Sequence, residues 1–125
     1  MASFPDAEAV VCDLLEQVAP TATYLDVGWD ENLPVIQVNR VGGSADSVTD
    51  VARIQVAVWA QSRAQVWQLA NQIRDLIRFA GNTRVNGVLI DWTEEAIAGQ
   101  QVPDVDPDDR RVISTFQFAF RRHFA

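Results

Sequence analysis

The sequence predicts an α+β fold of two layers, in which a mostly antiparallel or mixed sheet of about five strands is covered on one face by two helices. Two observations lead to this prediction. Helical and strand-like periodicities follow one another in the order α-β-β-β-α-β-β, and short segments of turn-forming residues join most of the strands. The chain has 125 residues, of which 48% are hydrophobic, so we expect one domain over 1–125 with a single core.

The first helix is predicted from a stripe of apolar residues at helical spacing. Pro5 suits its first turn because a proline needs no amide donor there, and Pro20 closes the segment. Asp6 and Glu8 lie where the helix dipole favours acidic side chains. One face of the helix is therefore expected to be buried, and it consists of Ala7, Val10, Val11, Leu14, Leu15 and Val18.

Two strands are predicted next, over residues 23–28 and 35–41, because these segments are rich in β-branched and aromatic residues. The turn-like residues 29–33 between them suggest an antiparallel pair. Residues 42–47 are small and polar, and we interpret them as a hairpin loop. The glycine pair in this loop lacks the lysine and the following helix of a phosphate-binding loop, so it does not predict nucleotide binding.

A third strand over residues 50–60 alternates between a small apolar face and a more polar one. The polar face carries Arg53 and Trp59, which are residue types enriched in protein interfaces. Ser62 is a suitable cap for a second helix over residues 63–80. The apolar stripe of that helix consists of Val66, Leu69, Ala70, Ile73, Leu76 and Ile77.

The C-terminal part of the chain contains two more predicted strands. An Asn-Gly turn signal at 86–87 precedes a strand over 88–93, and residues 94–101 fit either a continuation of this strand or a loop. Prolines and acids predict a loop over 102–109. A long strand over 111–123 closes the fold, and one of its faces consists of Val112, Ser114, Phe116, Phe118 and Phe120.

The charge balance narrows the possible functions. The chain has 17 acidic and 10 basic residues, all of the latter arginine, and a formal net charge of −7. This balance argues against a dedicated nucleic-acid-binding protein, which requires a basic surface. Cys12 is the only cysteine, so no intramolecular disulfide can form, and no signal peptide or membrane-spanning segment is visible. We expect a protein that works in solution or within an assembly.

The sequence predicts no catalytic, metal-binding or cofactor-binding site. His123 is the only histidine, and no Ser or Cys is paired with a base and an orienting group. The alternating acids of residues 104–109 are the best metal candidate, but the glycine and glutamate of a calcium-binding loop are missing. We interpret this segment as a solvated loop or as an acidic patch that contacts arginines of a neighbour. Asp91, Glu94 and Glu95 are interpreted as ordinary strand and surface acids rather than as catalytic carboxylates.

Several short segments occur in an order that is also found in a known group of proteins. A helix follows the start Phe-Pro-Asp-Ala-Glu of residues 4–8, and a Leu-Pro-Val-Ile-Gln-Val segment at 33–38 leads to the glycine-rich loop. The strand at 51–60 runs into the second helix, and a late Pro-Asp pair at 103–104 precedes the strand at 111–118. In this order and size, nearly the whole chain resembles the tail terminator (tail completion) proteins of long-tailed bacteriophages and the related small head–tail joining proteins.

The resemblance implies a structural virion protein and not an enzyme, with no cofactor. Proteins of this group form a hexameric ring that caps the tail tube, stops polymerisation of the tail-tube protein and provides the joint to the head connector. The implied partners are copies of the same chain, the tail-tube protein and the head–tail connector protein, and DNA passes through the lumen without specific binding. The implied location is the tail or neck region of the virion, after assembly in the host cytoplasm.

Contacts within the ring and with partners are expected at protruding loops and at arginine and tryptophan side chains, which protein interfaces favour. Two other functions remain open: a head-side adaptor that binds the portal ring, and a monomeric acidic module that binds or inhibits a basic protein. The expected interface residues are Trp29, Arg40, Gly42, Gly43, Arg53, Trp59, Asp104, Asp106, Asp108, Asp109, Arg121 and Arg122.

Overall fold

A computed structural model describes residues 2–100, 111–121 and 123–124 of the chain. Within these residues, five strands form one mixed sheet in the order β2-β3-β4-β8-β7, and β5–β6 and β1–β9 form two small two-stranded sheets. The predicted α+β class is confirmed. In chain order the elements are β1 (Ala2–Ser3), α1 (Ala7–Leu15), β2 (Thr21–Ala22), a 3-10 helix (Trp29–Asn32), β3 (Val35–Ala45), β4 (Thr49–Trp59), α2 (Arg63–Arg78), β5 (Thr83–Val85), β6 (Val88–Ile90), β7 (Trp92–Gln100), β8 (Arg111–Arg121) and β9 (His123–Phe124).

Helix α1 begins two residues later than its proline predicts. Asp6 is the N-cap, and its carboxylate accepts a hydrogen bond from the backbone N–H of Ala9, so Pro5 precedes the helix instead of lying in its first turn. The helix ends at Leu15, and Val18 follows in a turn while still packing against the core. The predicted apolar stripe from Ala7 to Leu15 is buried.

The strand predicted at 23–28 is wrong in both position and direction. The strand is only Thr21–Ala22, and it pairs parallel to β3, with Thr21 opposite Ile36. The carboxylate of Glu16 accepts a hydrogen bond from the backbone N–H of Thr21, which fixes the chain as it leaves α1. Residues 23–28 are irregular, and Gly28 with φ of 82° turns the chain into the 3-10 helix.

The loop predicted at 42–47 is mostly strand. Strand β3 continues to Ala45 through a β-bulge between Arg40 and Gly42, so that Ala45 pairs with Asp50. The turn itself spans only residues 46–48. There, the carboxylate of Asp46 accepts hydrogen bonds from the backbone N–H groups of Val48 and Thr49, each at 2.7 Å. Strand β4 also pairs with β8 from Thr49 to Trp59, so only the turn at 46–48 extends beyond the paired strands.

The predicted strand 88–93 is divided at Asp91. Its first half, β6, forms a hairpin with β5 across the predicted turn at 86–87, and β5 itself was not expected. Its second half belongs to β7, which runs on to Gln100 beside β8 with shifts of register after Glu95 and Ile97. The ambiguous segment is thus strand as far as residue 100, and the loop predicted at 102–109 lies outside the described residues.

The core lies between the sheet and the helix layer. Alternate residues of β3, β4 and β8 point toward the helices; α1 packs on β3, and α2 packs on β4, β7 and β8. Thr93 Oγ1 donates a hydrogen bond of 2.8 Å to the carbonyl oxygen of Ile77 and ties β7 to the last turn of α2. The predicted buried faces of β4 and β8 are confirmed. Among the residues that the structure describes, no helix is long and apolar enough to cross a membrane. The largest buried side chains include Phe116, Phe118, Phe120, Leu15, Ile36, Ile54, Ile73, Ile77 and Ile90.

Candidate assembly surfaces

A bidentate ion pair joins the bulge of β3 to the turn end of β4, where Asp50 is opposite Ala45. Arg40 Nη1 and Nη2 donate to Asp50 Oδ2 and Oδ1 at 2.7 and 2.6 Å, and the carboxylate side chain of Asp50 is only 5% exposed. These bonds raise the pKa of Arg40. Arg40 also donates its backbone N–H to Glu8 Oε2 of α1 at 2.8 Å, and its Nε to the carbonyl oxygen of Gly42. The hairpin is therefore anchored to itself and to α1.

Gly42 and Gly43 lie in the bulge rather than in the turn. Their φ angles are 149° and 119°, which side-chain-bearing residues rarely adopt. A Cβ on Gly43 would overlap the carbonyl oxygen of Val51, whereas one on Gly42 would meet nothing within 4 Å. Beyond the bulge every residue as far as Val48 is exposed. The two predicted glycines thus allow the bulge in β3, and the turn of the hairpin is formed by other residues.

Trp29 and Trp59 contact each other on the sheet face opposite the helices. Their ring centroids are 5.1 Å apart and the planes meet at 63°, an edge-to-face arrangement. The guanidinium of Arg111 lies 5.8 Å from the ring centroid of Trp59. Both tryptophans are half-buried, so the cluster holds the 3-10 helix against the sheet as well as presenting aromatic surface.

The rest of this outer sheet face carries two of the predicted arginines, Arg53 and Arg121. Arg53 lies at its centre opposite Gln117 and makes no ion pair with the described residues. Arg121, at the hairpin end of β8, donates Nε to Asp91 Oδ2 at 3.3 Å. Neither helix packs on this face, because both lie on the other side of the sheet. Arg53 and Arg121 therefore share a surface, and Arg40 lies on the opposite side of the sheet beside Asp50.

A groove that the sequence did not predict lies between α2 and the edge strand β7. Its volume is about 390 Å³, with Ile77 and Phe116 among its apolar lining residues. Arg74 and Arg78, four residues apart on α2, also line it, and Arg74 Nε lies 2.7 Å from Glu95 Oε2 in an ion pair that lacks hydrogen-bond geometry. We call the space lined by Arg74, Ile77, Arg78, Glu95 and Phe116 the α2–β7 groove. The four-residue spacing of the two arginines shows in the sequence that they share one face of the helix. It does not show that β7 lies beside that face.

Arg78 and Phe79 form the exposed end of this groove. Arg78 makes no ion pair within the described part of the chain, and its guanidinium lies 5.7 Å from the ring centroid of Phe79. Phe79 follows the last residue of α2 and is 73% exposed. A cation and an aromatic ring are therefore presented together to solvent.

The net negative charge of the protein comes from one part of the chain. Residues 1–39 contain seven of the 17 acids and none of the arginines, so the remainder of the chain is formally neutral. The described part of this range includes β1, α1, β2, the 3-10 helix and the start of β3. Within it, the exposed side chains include Tyr24, Asp26, Val27, Asp30 and Glu31.

Several predicted residues take other roles or lie outside the described ranges. Asp104, Asp106, Asp108, Asp109 and Arg122 are not among the described residues. Asp91 forms an ion pair with Arg121, and Glu95 forms one with Arg74. Cys12 is half-buried, and burial raises the pKa of its thiol, which lowers its reactivity.

Comparison with known proteins gives one family match. The model of a family described as phage tail termination protein matches residues 3–125. No curated protein matches the chain.

Proposed function

The chain belongs to the phage tail termination protein family, and on this premise we propose that it forms a closed ring that caps the tail tube. Membership of this family gives the chain a structural role in the phage tail and a place in the virion. The observation that supports the proposal is the match over residues 3–125, because it includes every helix and strand from α1 onward. One copy of 125 residues cannot encircle DNA, and a ring of identical copies can.

The proposed ring is a hexamer with three kinds of contact. Subunits contact one another, one face of the ring contacts the last layer of tail-tube protein and ends its polymerisation, and the other face joins the head connector protein. The joint lies in the neck of the virion after assembly in the host cytoplasm. DNA passes through the lumen without specific binding. In this assembly each chain acts as one domain over 1–125.

We assign the contact with the tail-tube protein to the β3–β4 hairpin. The support is exposure: Val41, in the bulge, and Val48, in the turn, are 49% and 55% exposed, and the Arg40–Asp50 pair fixes the strands between them. The outer-face residues Arg53 and Arg121, the pair Trp29 and Trp59, and the acids 104–109 with Arg122 remain proposed contacts for ring subunits or the connector. Gly42 and Gly43 contribute to this contact indirectly, because they allow the bulge that shapes the hairpin.

The test is a tube-polymerisation assay with the purified chain. Multi-angle light scattering after size exclusion measures the mass of the particle, alone and with tail-tube protein, and negative-stain images show its shape. We expect six-fold rings, and tubes that stop growing when the chain is added. A species that stays monomeric with tail-tube protein present and leaves tube length unchanged would falsify the proposal.

The same assay separates the two other functions. A head-side adaptor would co-purify with the connector and would leave tube growth unaffected. A monomeric acidic module would bind a basic protein at low salt and form no ring. Either outcome contradicts the terminator role.

A further inference from the structure

We propose that Asn86 is a site of spontaneous deamidation, and that the reaction turns a hydrogen bond between the β5–β6 hairpin and α1 into a contact between two carboxylates. The site is the Asn-Gly pair at 86–87, which no part of the proposed ring uses. The inference goes beyond the terminator function and does not depend on it.

Asn86 and Gly87 form the exposed turn of the β5–β6 hairpin. Val85 pairs with Val88, so the turn contains only these two residues. Their φ angles are 47° and 83°, and a tight two-residue hairpin turn requires both to be positive. Both residues are exposed, and a Cβ on Gly87 would meet no atom beyond its chain neighbours within 4 Å. Solvent therefore reaches the turn.

The side-chain amide of Asn86 joins this turn to the first helix. Its Nδ2 donates a hydrogen bond of 3.0 Å to Asp13 Oδ2 of α1. Between the described residues of the hairpin and those of α1, this is the only hydrogen bond made by a side chain, and no ion pair accompanies it. Val85 and Val88, on either side of the turn, are partly buried against the core. The polar part of the contact therefore depends on one amide group.

The reaction needs only these two residues and water. The backbone nitrogen of Gly87 attacks Cγ of Asn86 and closes a five-membered imide. The side-chain nitrogen leaves as ammonia and carries away the proton of the Gly87 N–H. Water then opens the imide at either carbonyl and gives aspartate or isoaspartate, one dalton heavier than asparagine. Glycine favours the first step because it has no side chain to obstruct the approach and its backbone rotates freely.

Asn82 provides a comparison within the same chain. It is also exposed and also has a positive φ, of 60°. The residue after it is Thr83, which is β-branched, and the backbone N–H of Thr83 donates a hydrogen bond of 3.2 Å to the carbonyl oxygen of Ala80. The attacking nitrogen is thus both crowded and engaged. The remaining asparagines likewise precede residues with long side chains, namely leucine, arginine and glutamine: Asn32, Asn39 and Asn71.

The reaction removes the group that makes the contact. The nitrogen that leaves is the donor to Asp13, and the carboxylate that replaces it lies opposite the same acid. Two carboxylates this close repel each other. The arginine of the hairpin, Arg84, donates Nη1 to the carbonyl oxygen of Gly87 at 3.1 Å and makes no ion pair with Asp13. Deamidation therefore weakens the attachment of the hairpin to α1.

Peptide mapping by mass spectrometry tests the reaction. The wild-type chain is kept for several weeks in mildly alkaline buffer at physiological temperature, and isoaspartate is measured with an isoaspartyl methyltransferase. We expect a gain of one dalton in the peptide that contains Asn86, at least several-fold faster than at any other asparagine, with methylation at the same position. Asn86→Gln is the matched control and should gain neither. No gain at Asn86, or an equal gain at Asn82, overturns the proposal.

Asn86→Asp reproduces the charge of the product and tests its consequence. Asp-Gly forms the same kind of turn, so the substitution changes the charge and keeps the backbone. We expect a melting temperature lower by about 2 °C and faster amide hydrogen exchange over residues 83–90.

Exchanging the two partners supplies the control for this second test. Asp13→Asn combined with Asn86→Asp places an amide opposite a carboxylate again, so the double variant should recover most of the loss. Asn82→Asp, which adds a carboxylate where no side-chain hydrogen bond exists among the described residues, should leave the melting temperature and the exchange unchanged. An Asn86→Asp variant as stable as wild type, or a loss that the exchanged pair does not recover, overturns the proposed effect on the contact.

Discussion

At the scale of single residues, the two partners of the Arg40–Asp50 ion pair differ in burial. The side chain of Asp50 is 5% exposed and that of Arg40 is 36% exposed, so loss of either partner has a different consequence. Without Arg40 a carboxylate remains buried and unpaired, whereas without the charge of Asp50 the guanidinium can turn to solvent.

We therefore expect Arg40→Ala to lower the free energy of unfolding by about 3 kcal/mol and Asp50→Asn by about 1 kcal/mol. Urea unfolding followed by circular dichroism measures both values. Equal losses, or a larger loss from Asp50→Asn, would show that burial of the carboxylate does not dominate the pair.

The two glycines of the bulge provide a matched comparison. Gly42→Ala and Gly43→Ala both force an unfavourable positive φ, which costs of order 1–3 kcal/mol. Only Gly43→Ala also drives a methyl group into the Val51 carbonyl oxygen. We expect Gly43→Ala to be the more destabilising by about 2 kcal/mol or more in thermal unfolding. Indistinguishable melting temperatures would contradict the close approach of the two strands at this point.

The turn contains a pH-dependent contact. The backbone N–H groups of Thr49 and Val48 hold the pKa of Asp46 below its ordinary value of 3.8. Because the folded-state pKa is the lower one, this contact stabilises the fold above the ordinary pKa and is lost as the pH falls through the folded-state pKa. We expect Asp46→Ala to be less stable than wild type at neutral pH, and the difference to vanish in strong acid. Asp30→Ala, which removes an exposed acid without a side-chain partner, should show no such convergence.

At the scale of elements, the exposed side chains of the β3–β4 hairpin are separable from the fold. Val41 and Val48 are exposed and contribute little to the core, so replacing both with serine should leave the melting temperature nearly unchanged. If the hairpin contacts the tail-tube protein as proposed, the same change should weaken that binding about tenfold or more. Ile97→Ser, on the exposed part of β7, is the control. Unchanged binding of the tail tube by the hairpin variant would show that the contact lies elsewhere on the chain.

The elements that periodicity predicted well are those with one clearly apolar face. Helices α1 and α2 and strands β4 and β8 are long enough for the apolar period to decide between helix and strand. Strand β2 was misplaced because its two residues are set by Glu16 and by pairing with β3, not by their own propensity. The division of residues 88–100 between β6 and β7 depends on partners far along the chain. No local pattern could show it.

At the scale of the whole molecule, the composition predicts that the chain lacks the excess of basic residues typical of nucleic-acid-binding proteins. It does not predict how the charged side chains are arranged on the surface. The absence of arginine before Arg40 is visible in the printed sequence, but where the acids of that range lie depends on the fold. In the same way, Arg74 and Arg78 acquire a common surface only when β7 is placed beside α2. The hairpin could be located from sequence, and the groove could not.

The net charge of −7 leads to a prediction about DNA. Without a basic patch, the chain releases few counterions from a duplex, so no retardation of DNA is expected in gel electrophoresis at about 0.15 M salt. The measurement is made on the assembled particle as well as on the single chain. Retardation that disappears in Arg53→Ala or Arg121→Ala would instead place those arginines in contact with DNA.

The hydrogen bond from the Arg40 backbone to Glu8 has a mechanical consequence. It ties β3 to the first helix at the residue whose side chain also pairs with Asp50, next to the turn. Strand β4 is paired with β8 as far as Thr49, so the turn at 46–48 is held both by the sheet and, through Arg40, by α1. A partner that displaces α1 would therefore act on the same strand that leads into the turn.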